Sequence, residues 1–272
     1  MPPFLMRYYV RLIVAELYST WKSQMIGGGD LSFWQEFFVK FYQAFIEKDR
    51  YLQYLKGMGT TLLVTAMALA IGVVLGIIVA VIRTAHDQQR PGTGNPIGRF
   101  ILGLVNFICK LYVTIIRGTP MMVQMLIMGM VIFSSSRDFT SVGALTLGIN
   151  SGAYVAEIIR GGLMALDPGQ AEAGRSLGLS YVDTMRFIVI PQAFKAILPS
   201  LGNEFIVLLK DTSLINVIGG KELVYAAQGI YSRTYEQMFP LVGVALIYLA
   251  LVMVFSWLQS ILERRLRQSD RR

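Results

Sequence analysis

The sequence is poor in the side chains that most enzymes use for chemistry. It contains a single cysteine, Cys109, and a single histidine, His86, among 272 residues. One cysteine excludes a disulfide within the chain, and Cys109 has apolar neighbours and no nearby histidine, which argues against a metal or thiol role. His86 falls in the polar run 83–95, where we expect a solvated loop residue. Zinc chemistry and a serine–histidine or cysteine–histidine pair are therefore poorly supported.

Charge is scarce as well, and long apolar runs take its place. Charged residues make up 15% of the chain and apolar residues 54%, which departs from the averages of soluble domains. The stretch 62–82 reaches the roughly 20 residues that cross a hydrocarbon core, and 241–258 carries no charge at all. The net charge of +8 does not indicate nucleic-acid binding, because the basic residues flank apolar runs. The sequence predicts an all-α transmembrane protein.

The basic residues predict how the chain crosses the membrane. Apolar segments lie near 58–82, 99–116, 120–135, 140–160, 188–210 and 239–262. Arginines and lysines cluster in the loop 83–99, in the loop 160–195 and at 264–272, so the positive-inside rule places all three in the cytoplasm. All three basic regions lie on the same side of the membrane only if 99–135 crosses it once, as a broken helix. We therefore predict five crossings, with the N-terminus outside and the C-terminus in the cytoplasm.

The two ends of the chain differ from this apolar middle. Residues 1–56 form an N-terminal extension in which 33–56 mixes aromatic and charged residues. That mixture predicts an amphipathic interfacial helix, with an ordinary soluble extension as the alternative. The segment 1–20 has no clean apolar core, so we expect no cleaved signal peptide. A transmembrane domain follows over 57–262, and a basic cytoplasmic tail over 263–272.

The break within 99–135 has a sequence signature of its own. Arg117 places a cation at a helix C-terminus, and Gly118 permits the left-handed turn that ends a helix. Thr119 is a good N-cap, and Pro120 a good first residue, for a following helix. A simple kink accounts for this pattern fully. The functional alternative is a gate, because broken helices often mark transport sites.

The cytoplasmic stretch 167–191 predicts two short capped helices. Asp167 and Pro168 open the first, which runs through Glu172 to a glycine, Gly178, that can terminate it. Ser180 then caps a second helix that leads to Pro191. A loop that merely connects spans rarely needs so much capping chemistry. We interpret 167–191 as a rigid docking element for a cytoplasmic partner.

A third group of residues lies in the apolar segment 188–210. Glu204 and Asp211 are seven residues apart and share a helical face, with Asn203 and Lys210 on an adjacent face. Glu204 lies about 20 Å along the helix from the cytoplasmic boundary, at 1.5 Å per residue. An ionisable group at that depth faces the bundle interior. It contacts either the substrate or a partner that serves packing only, and Asp211 is alternatively an N-cap.

Four motifs in order resemble the polar amino-acid permeases of ABC importers, the histidine/glutamine/arginine uptake type. They are Arg117-Gly118-Thr119-Pro120 with Val123-Gln124, then Gly152-Ala153-Tyr154 with Glu157 and Arg160-Gly161-Gly162, then Glu172-Ala173-Gly174 with Gly178 and Pro191, and finally Lys210-Asp211-Thr212-Ser213-Leu214. The third resembles the EAA loop of that superfamily. The resemblance covers about residues 57–262. Gly174 stands where the EAA loop usually has alanine, which predicts a looser first helix in the segment 167–191.

The resemblance implies a five-span ABC type I importer permease in a bacterial inner membrane. Glu172, Ala173, Gly174 and Gly178 would belong to coupling helices seated on an ABC ATPase dimer, which binds the ATP and Mg. A second permease chain, identical or different, would enclose the path, and an extracytoplasmic binding protein would deliver substrate. This chain has no phosphate-binding loop, so we expect no catalysis, metal or cofactor in it. A secondary amino-acid transporter is the alternative.

The carboxylates also bear on the substrate. Glu204 and Asp211 have little compensating positive charge beyond Lys110 and Lys210 in the apolar segments. A carboxylate within the membrane is best stabilised by a cation. We expect a polar amino acid, with a cationic one favoured, glutamine still open and an acidic one disfavoured.

Overall fold

The computed structural model describes residues 3–89 and 95–269, and the side chains of 12–89 and 95–266. All regular structure in these residues is helical, which confirms the all-α prediction. The α-helices are α1 (Pro3–Ile26), α2 (Phe33–Phe45), α3 (Tyr51–Asp87), α4 (Pro96–Gly118), α5 (Met121–Leu126), α6 (Phe139–Met164), α7 (Pro168–Ser176), α8 (Tyr181–Thr184), α9 (Ile190–Asp211), α10 (Leu223–Thr234) and α11 (Met238–Ser269). Short π-helical segments follow α5 (Ile127–Ile132) and α8 (Met185–Val189), and 3₁₀ turns precede α3 (Glu47–Asp49) and follow α9 (Thr212–Ile218).

Four stretches of the described chain are long and apolar enough to cross a membrane. They are 47–87, 96–118, 139–164 and 238–266. The 22-residue helix α9 is less apolar, because it carries Lys195, Asn203 and Glu204. Counted with α9, these helices give the five expected crossings.

Helix α4 is longer than the predicted segment 99–116. The Asn95 side chain accepts a hydrogen bond from the Ile97 amide at 3.0 Å, and Pro96 is the first helical residue. This cap starts the helix early, so α4 alone has the length of a span. Helix α4 is thus long and apolar enough by itself for the one crossing that we predict over 99–135.

The neighbours of α4 and α5 nevertheless support a single crossing. Tyr112 of α4 donates to the Ile149 carbonyl of α6, and Arg117 lies 3.6 Å from Glu157. After the break, Gln124 accepts from Asn150 at 2.9 Å. The π-helical segment then reaches Ile218 beyond the end of α9. The chain thus lies beside residues 149–157 of α6 on both sides of the break, and only then runs towards Ile218.

The end of α3 also differs from expectation. The helix continues through Asp87, so His86 lies in its last turn and not in a loop. The His86 Nδ1 atom is 3.6 Å from the Asp87 carboxylate. The helix extends because nothing before residue 88 breaks it. Arg90, Arg271 and Arg272, which support the cytoplasmic assignment, lie outside the described residues.

The chain folds as two compact units. The first comprises the chain up to residue 58 together with 223–247, and the second comprises 59–222 and the chain from residue 248. In the first unit α2 packs on α1 and α10, and Lys40 pairs with Glu36 at 2.7 Å and with Glu236 at 3.4 Å. The N-terminal residues therefore share a core with a later segment of the chain. Their position at a membrane interface stays a prediction.

Helix α6 lies at the centre of the second unit. Two glycines let α3 approach it closely: a Cβ on Gly72 would lie 2.8 Å from Ser151, and one on Gly76 would lie 2.5 Å from Val155. On its other side α6 packs on α9. A buried apolar cluster of Val64, Ala68, Met125, Leu147, Leu208 and Ile215 joins these helices. This packing fixes the faces of α6 and α9 that line the candidate site.

Candidate functional site

A cavity of about 710 Å³ opens between the α4–α5 junction, α6, α9 and α11. Its volume falls in the range of small-molecule sites. All three α9 residues predicted to bind substrate line it, and so does Thr119 from the helix break. Its lining residues are Thr119, Met121, Asn150, Tyr154, Ile158, Pro199, Ser200, Asn203, Glu204, Val207, Leu208, Asp211, Gln259 and Glu263.

Glu204 is the most enclosed charged group of this cavity. Glu204 is 8% exposed, and the Ser151 hydroxyl of α6 donates a hydrogen bond to the Glu204 carboxylate at 2.7 Å. Within the described part of the chain, no lysine or arginine forms an ion pair with Glu204. One hydroxyl is a weak compensation for a buried carboxylate, which makes a cation a favourable partner.

Asp211 lies at the end of α9 and borders the same cavity. Asp211 stands at the N-cap position of the 3₁₀ turn that follows, but the alternative that its side chain caps this turn was wrong, because the side chain makes no capping hydrogen bond. The turn is held instead by Thr212, whose hydroxyl donates to the Leu209 carbonyl at 2.8 Å. The Asp211 carboxylate is therefore not used by the backbone of this turn.

A third carboxylate in the cavity, Glu263, was not predicted from the sequence. We placed Glu263 at the start of a basic tail, whereas α11 continues to Ser269 and turns this residue inward. Gln259, one turn earlier, donates to Glu263 at 3.1 Å and to the Pro199 carbonyl at 3.2 Å. The spacing of Gln259 and Glu263 by four residues was the available signal. Among the described residues that line the cavity, three are acidic and none is lysine or arginine.

The helix break has a different backbone from the one predicted. Gly118 is the last residue of α4 and has no positive φ, so it makes no left-handed turn. Thr119 is extended (φ −119°, ψ 146°) because it precedes Pro120, which excludes helical geometry at that position. Pro120 is the N-cap of α5, and Met121 is its first residue. Thr119 therefore terminates α4 and does not cap α5.

Gln124 caps the C-terminal end of α4. Its amide nitrogen donates to the Ile116 carbonyl at 2.8 Å and to the Thr119 carbonyl and hydroxyl at 3.1 and 2.8 Å. These bonds satisfy carbonyls that the end of α4 leaves without helical partners. Its amide oxygen accepts from Asn150, which lines the cavity. The break is thus fixed to α6 at the edge of the cavity.

Arg117 lies in the last turn of α4, as predicted. Its guanidinium lies 5.3 Å from the ring centroid of Tyr154, a cavity residue, and 3.6 Å from Glu157. Arg83 of α3 also pairs with Glu157. One carboxylate on α6 thereby joins the break to α3. This arrangement is compatible with a gate.

The segment 167–191 forms the two capped helices that the sequence predicts. The Asp167 carboxylate accepts from the Gly169 amide at 2.9 Å, and Ser180 accepts from the Asp183 amide at 3.1 Å. Gly178 takes the expected positive φ, 83°, and the Leu179 amide donates to the Gly174 carbonyl at 3.2 Å. These features define a Schellman motif at the end of α7.

Gly174 lies in close packing, which contradicts the expected loosening. It is buried, and a Cβ there would lie 2.9 Å from Ile188 and 3.0 Å from Thr184. The glycine lets α7 lie directly on the π-helical segment after α8. The opposite face of α7 is exposed and carries Glu172 and Ala173, followed by Leu177 at 82% exposure.

Comparison with known proteins identifies the class. Residues 93–268, more than half of the chain, match the family described as binding-protein-dependent transport system inner membrane component. The chain belongs to this family, whose members are permease subunits of ABC transporters. The type I importer permease fold predicted from the sequence is confirmed, and the chain is a multi-pass membrane protein.

Individual relatives of the chain are permeases and transporters of amino acids. The chain is 34% identical to the glutamine transport system permease protein GlnP of Escherichia coli K12 over 217 residues, 78% of this chain and 92% of that one. It is 34% identical to the arginine transport system permease protein ArtQ of Bacillus subtilis over 221 residues, 79% and 93% of the two chains. A crystal structure of an amino acid ABC transporter with histidines matches with a TM-score of 0.69 and 40% identity, over 79% of this chain and 94% of that one. The inward-facing MetNI methionine transporter shares the fold (TM-score 0.64, 20% identity, 80% and 98% covered).

Proposed function

We propose that this permease conducts a cationic amino acid through the cavity beside Glu204. The observation that carries the proposal is the charge of the described cavity lining, which has three carboxylates and no lysine or arginine. A cation entering this site compensates the buried carboxylate of Glu204, to which the Ser151 hydroxyl donates one hydrogen bond. An acidic amino acid would meet three like charges. Glutamine remains the second choice, because its α-ammonium also pairs with Glu204.

The relatives are compatible with this preference. The printed names of two of them give glutamine and arginine as substrates, both polar amino acids. The cavity also offers amide and hydroxyl groups from Asn150, Asn203 and Ser200, which suit the α-carboxylate and the polar end of such a molecule. Cation selectivity then comes from the carboxylates, and general amino-acid recognition from the neutral polar groups.

The proposed partners follow from the exposed surfaces and the family. The outer face of α7 with Glu172, Ala173 and Leu177 would sit on the ATPase subunit, which hydrolyses ATP in place of this chain. A second permease chain would close the path, and an extracytoplasmic binding protein would deliver the amino acid. We place the N-terminus outside and the C-terminus in the cytoplasm of a bacterial inner membrane, from the positions of the basic residues.

The experiment uses permease, ATPase and binding protein reconstituted in vesicles with labelled arginine, glutamine and glutamate. Glu204→Gln keeps the shape of the side chain and its contact with Ser151 but removes the charge. We expect arginine uptake to fall by about ten-fold or more, since a charge-assisted hydrogen bond is worth roughly 1.5–3 kcal/mol. Glu16→Gln, an exposed position on α1, is the matched control and should leave uptake unchanged.

Glutamate uptake by the wild type would contradict the charge argument. Unchanged arginine uptake by Glu204→Gln would remove Glu204 from the site. Uptake that continues without ATP would favour a secondary transporter.

A further inference from the structure

A second region of the permease, beside helices α3 and α9, has the features of a ligand site. An apolar groove of about 530 Å³ runs between α3, α6 and α9, lined by Val73, Ile77, Phe194 and Leu201 among others. Its lining is almost wholly aliphatic and aromatic, and several of these side chains are exposed. In a membrane-spanning chain, exposed apolar side chains at this depth face lipid.

The groove has the length of one lipid leaflet. Along α3 it extends from Val73 to Gln88, about 22 Å at 1.5 Å per residue. Half of a bilayer, counted with its headgroup region, measures about 20 Å. An acyl chain inserted from the α7 side therefore reaches the full depth of the groove. A soluble substrate would gain little from such an apolar surface.

A polar cavity of about 800 Å³ continues the groove towards α7. The two share Thr84, Ala85, Gln88, Tyr181 and Met185, so they adjoin each other. The Tyr181 hydroxyl donates to the Gln88 side chain at their junction. The polar cavity therefore lies where the headgroup of a lipid in the groove would lie.

One cation that lines the polar cavity has no ion-pair partner among the described residues. Arg175 lines it, makes one 3.4 Å bond to the Ala171 carbonyl, and forms no ion pair within the described part of the chain. The acidic neighbour, Asp167, is used by the Gly169 amide. A phosphate diester would pair with the Arg175 guanidinium.

We infer that this composite space binds a phospholipid, with one acyl chain in the groove and the phosphate beside Arg175. A lipid held there would fill the gap between α3 and α9 and contact Tyr181, which begins the second coupling helix. The inference requires only that the chain lies in a membrane and does not depend on the proposed substrate. It gives the lipid a structural connection to the coupling segment.

The test is native mass spectrometry of the assembled transporter after lipid exchange with phosphatidylglycerol. Ala85→Trp places a large ring at the junction of the two spaces, at an exposed position, and should reduce retained phospholipid by about five-fold or more. Ala70→Trp is the matched control, because Ala70 is an exposed alanine of α3 that does not line the groove. Arg175→Gln should weaken phospholipid retention by about ten-fold.

Equal lipid retention by Ala85→Trp and Ala70→Trp would overturn the inference. Loss of the permease pair in Ala85→Trp, without loss of lipid, would also overturn it and assign the groove to the second permease chain. Equal retention of a diacyl glycolipid that lacks phosphate would refute the role of Arg175. If Ala85→Trp fails to assemble, Ala85→Leu tests the same junction with a smaller side chain.

Discussion

Gly178 lies between α7 and α8, the two helices that we propose to contact the ATPase, and its backbone makes it a sensitive point for perturbation. Its φ of 83° belongs to the left-handed region, and no atom lies within 4 Å of the place where a Cβ would stand. A substitution there therefore strains the backbone without any steric clash. Gly178→Val isolates the conformational effect from the packing effect.

The expected magnitude follows from that conformation. An L-residue in the left-handed region costs roughly 1–2 kcal/mol relative to glycine, and a β-branched side chain lies at the unfavourable end. An energy of 1–2 kcal/mol changes a two-state ratio by a factor of about 5–30. We expect the observed α7–α8 geometry to lose population by that factor, while the spans keep their packing.

The assay compares two quantities in reconstituted vesicles: stimulation of ATP hydrolysis by the binding protein, and amino-acid uptake. We expect uptake per ATP hydrolysed to fall several-fold in Gly178→Val, or the ATPase to dissociate. Gly178→Asn should be intermediate, because asparagine tolerates positive φ. Gly103→Val is the control, since Gly103 has equal space but no positive φ. A wild-type ratio of uptake to hydrolysis in Gly178→Val would refute the coupling role.

Two further predictions concern topology and a helix cap. In a Cys109→Ser background, single cysteines at positions 86 and 221 should be labelled from opposite sides of the membrane, and labelling from the same side would exclude a single crossing over 99–135. Asp138→Ala should cost about 1 kcal/mol of stability, because Asp138 accepts from the Thr140 and Ser141 amides at the start of α6. Hydrogen bonds from the Ser141 hydroxyl and amide lower the pKa of Asp138. Its charged form therefore contributes stability above the usual aspartate pKa of about 3.9, and this contribution is lost as the pH falls through the folded value. Thermal melting from pH 3 to pH 7 should show the difference from the wild type shrinking in acid, and a pH-independent difference would contradict the assignment.

The sequence predicted the features that depend on local chemistry. Asp167, Ser180 and Gly178 act over two to five residues through caps and a left-handed turn, so composition and spacing suffice to place them. Glu204 and Asp211 share a face because helical geometry alone relates positions seven apart. Contacts between distant segments were not accessible in this way. Gly174 and Gly76 carry no side chain, which lets other helices pack closely against them, and the sequence does not identify those helices.

The helix break shows why two residues with clear local preferences were nevertheless misplaced. Thr119 is a good N-cap and Pro120 a good first helical residue, and both preferences concern the helix that follows. The residue before a proline is also driven out of helical geometry, and here that restriction determines the end of α4. Gln124 then satisfies the exposed carbonyls of α4, and Asn150 of α6 holds Gln124 in place by donating to its side-chain oxygen. The cap is Gln124, five residues after Thr119, and Gln124 is bonded to Asn150 of α6, which lines the cavity. A movement of α6 would therefore shift both the break and the cavity wall.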